Sequence, residues 1–264
     1  MRINTNLLKL LFCTLMFIDC LSTSAQEFSP RAAEMLRQSV ENETTPSLRF
    51  LNASIFTTTT NISGSDDLSN SIDIGSRQSL GLKIGYTYQE EFITARAELG
   101  YRNIIFSNEA NSSIPIEKNY TNHDIGLSYY IIHQTWEKVK LVAGVKYQSL
   151  YYFQSEVGQS YIKIISEFEA VPSVGVEWLP GRIPSSSLAV YALMGVSLPN
   201  ADVKPGLSTQ FGIKFNHVYS PHYTILSDFS YSKIQNRTDV TQFTTASKQS
   251  RSELNLQFGL QREY

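Results

Sequence analysis

Cysteine is nearly absent: the chain has two, Cys13 and Cys20, and both fall ahead of Leu21. Whatever the remainder folds into gains nothing from disulfides or thiolate metal ligands, so burial or closed backbone hydrogen bonding must hold it together. An excess of either charge is lacking too. The 22 Lys and Arg stand against 24 Asp and Glu, a formal charge of −2 with no basic cluster, which argues against a nucleic-acid partner. The four histidines, His123, His133, His217 and His222, show no paired ligand spacing, so neither a metal nor another cofactor is expected. Long apolar runs are missing after Ala25. The best stretch, Leu188 to Leu198, is interrupted by Gly195 and Ser197 and falls short of the roughly 20 apolar residues of a spanning helix.

What is present begins with an export pattern. Arg2 and Lys9 flank the start, an apolar stretch runs from Leu10 to Ile18, and Thr23-Ser24-Ala25 offers small residues for cleavage, so residues 1–25 read as a signal peptide. Acylation at Cys20 is disfavoured by Asp19 beside it. Loss of Arg2, Lys9 and Asp19 would make the remainder one unit more negative. Residues 26–46 then read as a short amphipathic helix and linker. Ser29 caps it, Pro30 takes the first helical position, and Ala32, Ala33, Met35, Leu36 and Val40 follow at helical spacing until Glu41 to Pro46 break it.

From residue 47 to 264 the signal changes to alternation of apolar and polar residues. Leu80, Leu82, Ile84, Tyr86 and Tyr88 oppose Gly81, Lys83, Gly85 and Thr87; Ile125, Leu127, Tyr129 and Ile131 oppose Asp124, Gly126 and Ser128. Similar runs centre on Leu99, Ala143, Val176, Ala192, Phe211, Phe229 and Leu256, with a less regular one from Arg49 to Thr57. The total is about ten strands, an even number as single-chain bacterial barrels require. Connections alternate in length. Asn61 to Gln78, Ser107 to Lys118, Gln154 to Ile165, Pro199 to Pro205 and Gln235 to Ser250 are mostly long and polar, whereas those at Gln89-Glu90-Glu91, His133 to Glu137, Pro180 to Ser187 and Ser220-Pro221 are tighter.

These features predict an all-β fold: a closed antiparallel transmembrane β-barrel of about ten strands with a short N-terminal helix. A barrel pairs every backbone polar group without leaving an edge, which hydrocarbon demands. Aromatics sort to the strand ends as interfacial girdles do. Tyr86, Tyr88, Phe92, Tyr129, Trp136, Trp178, Tyr219, Tyr223 and Tyr264 mark the tight-turn end, and Tyr101, Tyr147, Tyr151, Phe229 and Tyr231 the other. Near mid-strand the polar face carries Gly85, Gly100, Gly126, Gly144, Gly175, Gly195, Gly212 and Gly259, room that a narrow lumen needs. The glycine face therefore points inward, together with Lys83, Arg96, Glu98, Arg102, Asp124, Lys146, Glu177 and Lys214. Both signs on one lining favour a cross-braced interior, with any pore narrow. Pro172, inside the sixth strand, predicts a bulge or a late strand start.

The sequence resembles Gram-negative outer-membrane β-barrel proteins as a broad group. The resemblance includes the terminal run Leu256-Gln257-Phe258-Gly259-Leu260-Gln261-Arg262-Glu263-Tyr264, similar to the aromatic-ended assembly signal of such proteins, although Arg262 stands where a hydrophobic residue is usual. The leader ending Ser-Ala-Gln-Glu is similar to those of the Bacteroidetes. The resemblance implies an outer-membrane location, lipid contact and insertion by the barrel-assembly machinery, with a structural, narrow-pore or surface-recognition role. Other readings are an accessory barrel of a secretion or envelope-assembly complex, with the helix touching a periplasmic partner, and a soluble exported ligand-binding barrel. A surface protease or lipid-modifying enzyme would need Asp, His or Ser converging at the outer rim, and the candidates are Asp66-Asp67 in the first long loop together with His123-Asp124 on the fourth strand. Adjacent acids in a polar loop are ordinarily solvated, and no catalysis is expected.

Overall fold

The computed structural model describes residues 47–65, 71–90, 92–106, 120–136, 138–155, 162–183, 185–199, 203–238 and 248–263. The signal peptide, the N-terminal helix, Asp66-Asp67 and Tyr264 lie outside them. The strands are β1 (Leu48–Ser65), β2 (Ser71–Gly75), β3 (Ser79–Gln89), β4 (Ile93–Ile105), β5 (Thr121–Trp136), β6 (Val139–Ser155), β7 (Ile162–Ile183), β8 (Ser186–Pro199), β9 (Val203–Ser220), β10 (Tyr223–Thr238) and β11 (Lys248–Glu263). From β3 to β11 each strand pairs antiparallel with the next. The sheet closes through β1, which lies between β3 and β11. The short β2 pairs with the far end of β1 beyond the last β3 partner, so β2 and β3 together form one stave and the barrel has ten.

The alternation sets the two faces. Leu80, Leu82 and Ile84 are 73%, 61% and 61% exposed, while Gly81 and Lys83 between them turn inward. The same holds for Leu99, Ile125, Leu127, Val174, Phe211 and Ile213, all exposed on the outside. Several strands run further than their sequence pattern: β1 reaches Ser65, β7 begins at Ile162 and β11 at Lys248. In these outer stretches the ladder continues without the apolar alternation that marks a lipid-facing wall.

Pro172 produces neither a bulge nor a late start. Strand β7 runs through it in unbroken register with β6, where it partners Val145. On the other side the β7–β8 ladder skips Val171 and Pro172 but resumes at Ser173 in the same register, which confines the missing N–H to one gap.

Glycine and aromatic side chains share the lumen by a repeated device. Phe56, Tyr130 and Tyr191 point inward opposite Gly81, Gly144 and Gly212 of the adjacent strand. Each ring lies so close to its glycine that a Cβ there would come within 2.3, 2.3 and 2.4 Å of it. The glycines let large rings lie flat along a narrow wall.

At the loop end, β6 leaves the wall. Its pairing with β5 stops at Leu127–Tyr147, but its ladder with β7 continues to Ser155–Ile162. This free hairpin crosses the mouth to the opposite side of the barrel, where the Phe153 N–H donates to Gln249 Oε1 (2.8 Å) and Gln249 Nε2 donates to the Phe153 carbonyl (3.1 Å). Tyr151 and Phe153 pack with Ile62, Ile74, Ile104, Phe106 and Ile164. On the hairpin's other face, Leu150 and Tyr152 pack with Val203. Tyr151, expected in the outer aromatic band, is instead 1% exposed inside this cap, its ring 5.4 Å from that of Phe106.

The glycine contacts generate a paired prediction. Gly144→Ala meets both the Tyr130 ring and the Tyr129 carbonyl within 2.4 Å, whereas Gly100→Ala meets nothing closer than 3.9 Å. Gly144→Ala should lower barrel stability in urea by about 1–3 kcal/mol, the usual range for overpacking. Gly100→Ala should leave it unchanged or slightly raised.

Candidate functional site

The lumen holds a cavity of about 310 Å³ that extends from the level of the tight turns, at Gln89, Thr94 and Gln261, up to Arg102, Asp124 and Glu253. Lys83, Arg96, Glu98, Arg102, Asp124, Lys146, Glu177 and Lys214 all line it. They are inward because each sits out of phase with the apolar residues of its strand.

In the lower part, pairs form between staves that are adjacent or one apart. Lys214 Nζ lies 2.8 Å from Glu177 Oε2 and 4.5 Å from the centre of the Tyr191 ring. The Tyr191 hydroxyl donates to Asp228 at 3.1 Å. Lys83 Nζ donates to Gln257 Oε1 at 2.7 Å and lies 3.7 Å from Glu98 Oε2.

Above the cavity a buried ionic layer crosses the barrel. Arg102 from β4 places Nε and Nη2 each 2.7 Å from Asp124 Oδ2 on β5, and Nη2 also lies 2.9 Å from Glu253 Oε1 on β11. Arg251 on β11 reaches the other side: its Nη2 donates to Glu169 Oε1 on β7 at 2.7 Å, and its Nη1 donates to the Ser149 carbonyl of the crossing hairpin. Ser149 donates its hydroxyl to Asp124 at 2.6 Å, Gln148 donates to Glu169 at 2.7 Å, and Ser197 on β8 donates to Glu169. Glu169 is 1% exposed and Arg251 3%. Buried charge at this level of enclosure persists only when paired and hydrogen-bonded, and here each charge braces one side of the barrel to another. The apolar cap around Tyr151 lies on the outer side of this layer.

Glu169, Arg251 and Glu253 were not among the expected lumenal residues. Each lies just outside an alternating run, although Arg251 and Glu253 share the inward phase opposite Leu254 and Leu256. The apolar cap also had a signal. Leu150-Tyr151-Tyr152-Phe153 is apolar without alternation, the mark of a segment covered on both faces.

His123 and Asp124 are divided by the wall. Asp124 is 3% exposed within the ionic layer, while His123 is exposed on the outside, its Nδ1 2.7 Å from the Tyr101 hydroxyl. They cannot act as one acid–base pair. His217 is buried beside Ser186, 2.8 Å from its hydroxyl, and stacks on Phe215. Among the described residues no cluster of three His, Cys, Asp or Glu is placed to hold a metal ion.

Of the expected tight-turn girdle, Tyr86, Tyr129, Trp136, Trp178 and Tyr219 are exposed on the outer surface. Tyr88 and Tyr223 are half-buried. Tyr88 donates to Glu90, and the Arg262 guanidinium lies 5.8 Å from the centre of the Tyr223 ring.

No family model matches the chain, and no curated protein matches it. Solved structures do. The outer membrane protease OmpT from Escherichia coli superposes with a TM-score of 0.52 at 9% identity, over 82% of this chain and 97% of that one. The fold is that of an outer-membrane β-barrel. The translocator domain of the autotransporter NalP from Neisseria meningitidis matches with a TM-score of 0.41 at 10% identity, over 91% of this chain and all of that one. For the β domain of the Bordetella autotransporter BrkA the values are 0.43, 8%, 81% and 99%. At such identities the likeness describes the fold and leaves activity to the residues themselves.

The ionic layer predicts an asymmetry between single and paired substitutions. Arg251→Met strands Glu169, and removal of one partner of a buried pair costs about 3–5 kcal/mol. Unfolding in urea should show a loss of that size, and the double variant Arg251→Met, Glu169→Gln should recover a substantial part.

Proposed function

We propose that this chain is an exported outer-membrane β-barrel that does not conduct at rest: its outer mouth is shut, and its lumen opens toward the periplasm. The observation that carries the reading is the crossing hairpin and the ionic layer beneath it, which tie β4, β5, β6, β7 and β11 together across the mouth. The continuous outward apolar face, from Leu51 and Ile55 around to Leu260, supports lipid contact, since in water such an area would drive association. The pattern of residues 1–25 supports export. Separation of His123 from Asp124 supports a role other than catalysis, either as a structural element or through the surface loops.

The test is conductance. Folded wild-type protein in planar bilayers should give no stable current steps. Removal of the brace with Arg251→Ala and Arg102→Ala together should produce intermittent steps if the double variant still folds, judged by its altered gel mobility without heating. A wild type that conducts steadily contradicts the reading.

A further inference from the structure

Most lumenal cations have a partner. Lys83 faces Glu98, Lys214 faces Glu177, and Arg102 sits between Asp124 and Glu253. Arg96 and Lys146 line the same cavity, yet neither makes a direct ion pair or side-chain hydrogen bond among the described residues. The Arg96 Nε is shielded from solvent and bonded to no protein atom.

Register brings the two together. Arg96 partners Tyr130 on β5, and Lys146 on β6 partners Ser128, the next inward position of that strand. Their backbones are two strands apart, about 10 Å, and both side chains are long enough to approach one small ligand from two sides. Below the ionic layer the cavity is lined by five cations, Lys83, Arg96, Lys140, Lys146 and Lys214, against three carboxylates. This excess of positive charge sits inside a chain whose total is −2. Glu98 and Glu177 lie within electrostatic reach of Arg96, and Glu253 of Lys146, but none of them is bonded to either cation, so donors on both remain for a ligand, and a guanidinium fork matches planar carboxylate or tetrahedral phosphate oxygens.

We infer that the lower lumen binds a compact, doubly charged oxyanion, a dicarboxylate or a phosphate group, between Arg96 and Lys146. The site rests on the closed-mouth reading only for its direction of entry, from the tight-turn end. Binding is measured on detergent-folded protein and conductance in bilayers, so either can fail alone.

The experiment is calorimetric titration of the folded full barrel in low-salt buffer with inorganic phosphate and, separately, succinate. The wild type should bind at least one of them saturably at a single site. R96Q and K146M, each verified as folded by gel mobility, should weaken that binding tenfold or more, and K138M in the β5–β6 turn, outside the cavity lining, should leave it unchanged. A second reading needs no variant: the bound anion should slow acetylation of Lys146 at least fivefold while Lys138 reacts as before. Absence of saturable binding by either anion, retention within twofold by either lumenal variant, equal loss in K138M, or unprotected Lys146 overturns the site.

Discussion

Everything in this fold depends on the closure of β11 onto β1. Sixteen consecutive residue pairs, from Phe50–Glu263 to Ser65–Lys248, complete a ring, and below the point where β6 parts from β5 no strand edge among the described residues is left to pair with another chain. Closure lets a wall only one residue thick face hydrocarbon, because its backbone groups are satisfied within the sheet. It also makes each residue choose between two environments. A side chain on an odd or even phase looks either outward to an apolar surround or inward to a crowded, polar lumen, and a one-residue slip would exchange the two sets.

The inward set faces a spatial problem that the outward one does not. Ten staves give a lumen that side chains nearly fill, and the sequence meets this in two ways along the barrel. In the lower half, glycines opposite Phe56, Tyr130 and Tyr191 let the rings lie along the wall, which keeps a cavity open among the charged groups. Toward the mouth the space is filled. Arg102 and Arg251 reach carboxylates on other staves, the β6–β7 hairpin lies across them, and apolar residues seal the outer side. The ionic layer therefore does more than offset charge: Arg251 and Gln249 accept the hairpin by bonding its backbone at Ser149 and Phe153. A hairpin that leaves the wall loses ladder partners from β5, and these side-chain contacts replace part of what is lost.

The wall was legible in the sequence because its physics is local. Alternation with period two, glycine on one face and length contrast between successive connections each report on a few neighbouring residues, so Leu82 outward and Lys83 inward can be read directly from their order. The cap left only a break in the alternation, with nothing to say what covers it. Its decisive contact joins Phe153 to Gln249, ninety-six positions apart, and the apolar run at Leu150 to Phe153 imitates an interfacial band when only the local pattern is considered. Pro172 misled for the opposite reason. A missing donor was expected to distort the strand, but with β6 paired in register on one side, the gap on the β8 side is absorbed without a bulge. Lys83 and Lys214, read only as inward charges, prove to be partnered, which singles out Arg96 and Lys146; that distinction depends on neighbouring staves and has no signature in the chain order.

The central claim is that the leucine-bearing face of each strand meets lipid and the lysine- and glycine-bearing face is enclosed. With no cysteine after Cys20, single cysteines at Leu82, Lys83 and Ile84 can each carry a nitroxide in protein reconstituted into vesicles. Collision with dissolved oxygen, which concentrates in hydrocarbon, should be high at 82 and 84 and low at 83. The reverse order, or equal access of a water-soluble nickel chelate to 82 and 84, would mean that this face does not meet the membrane.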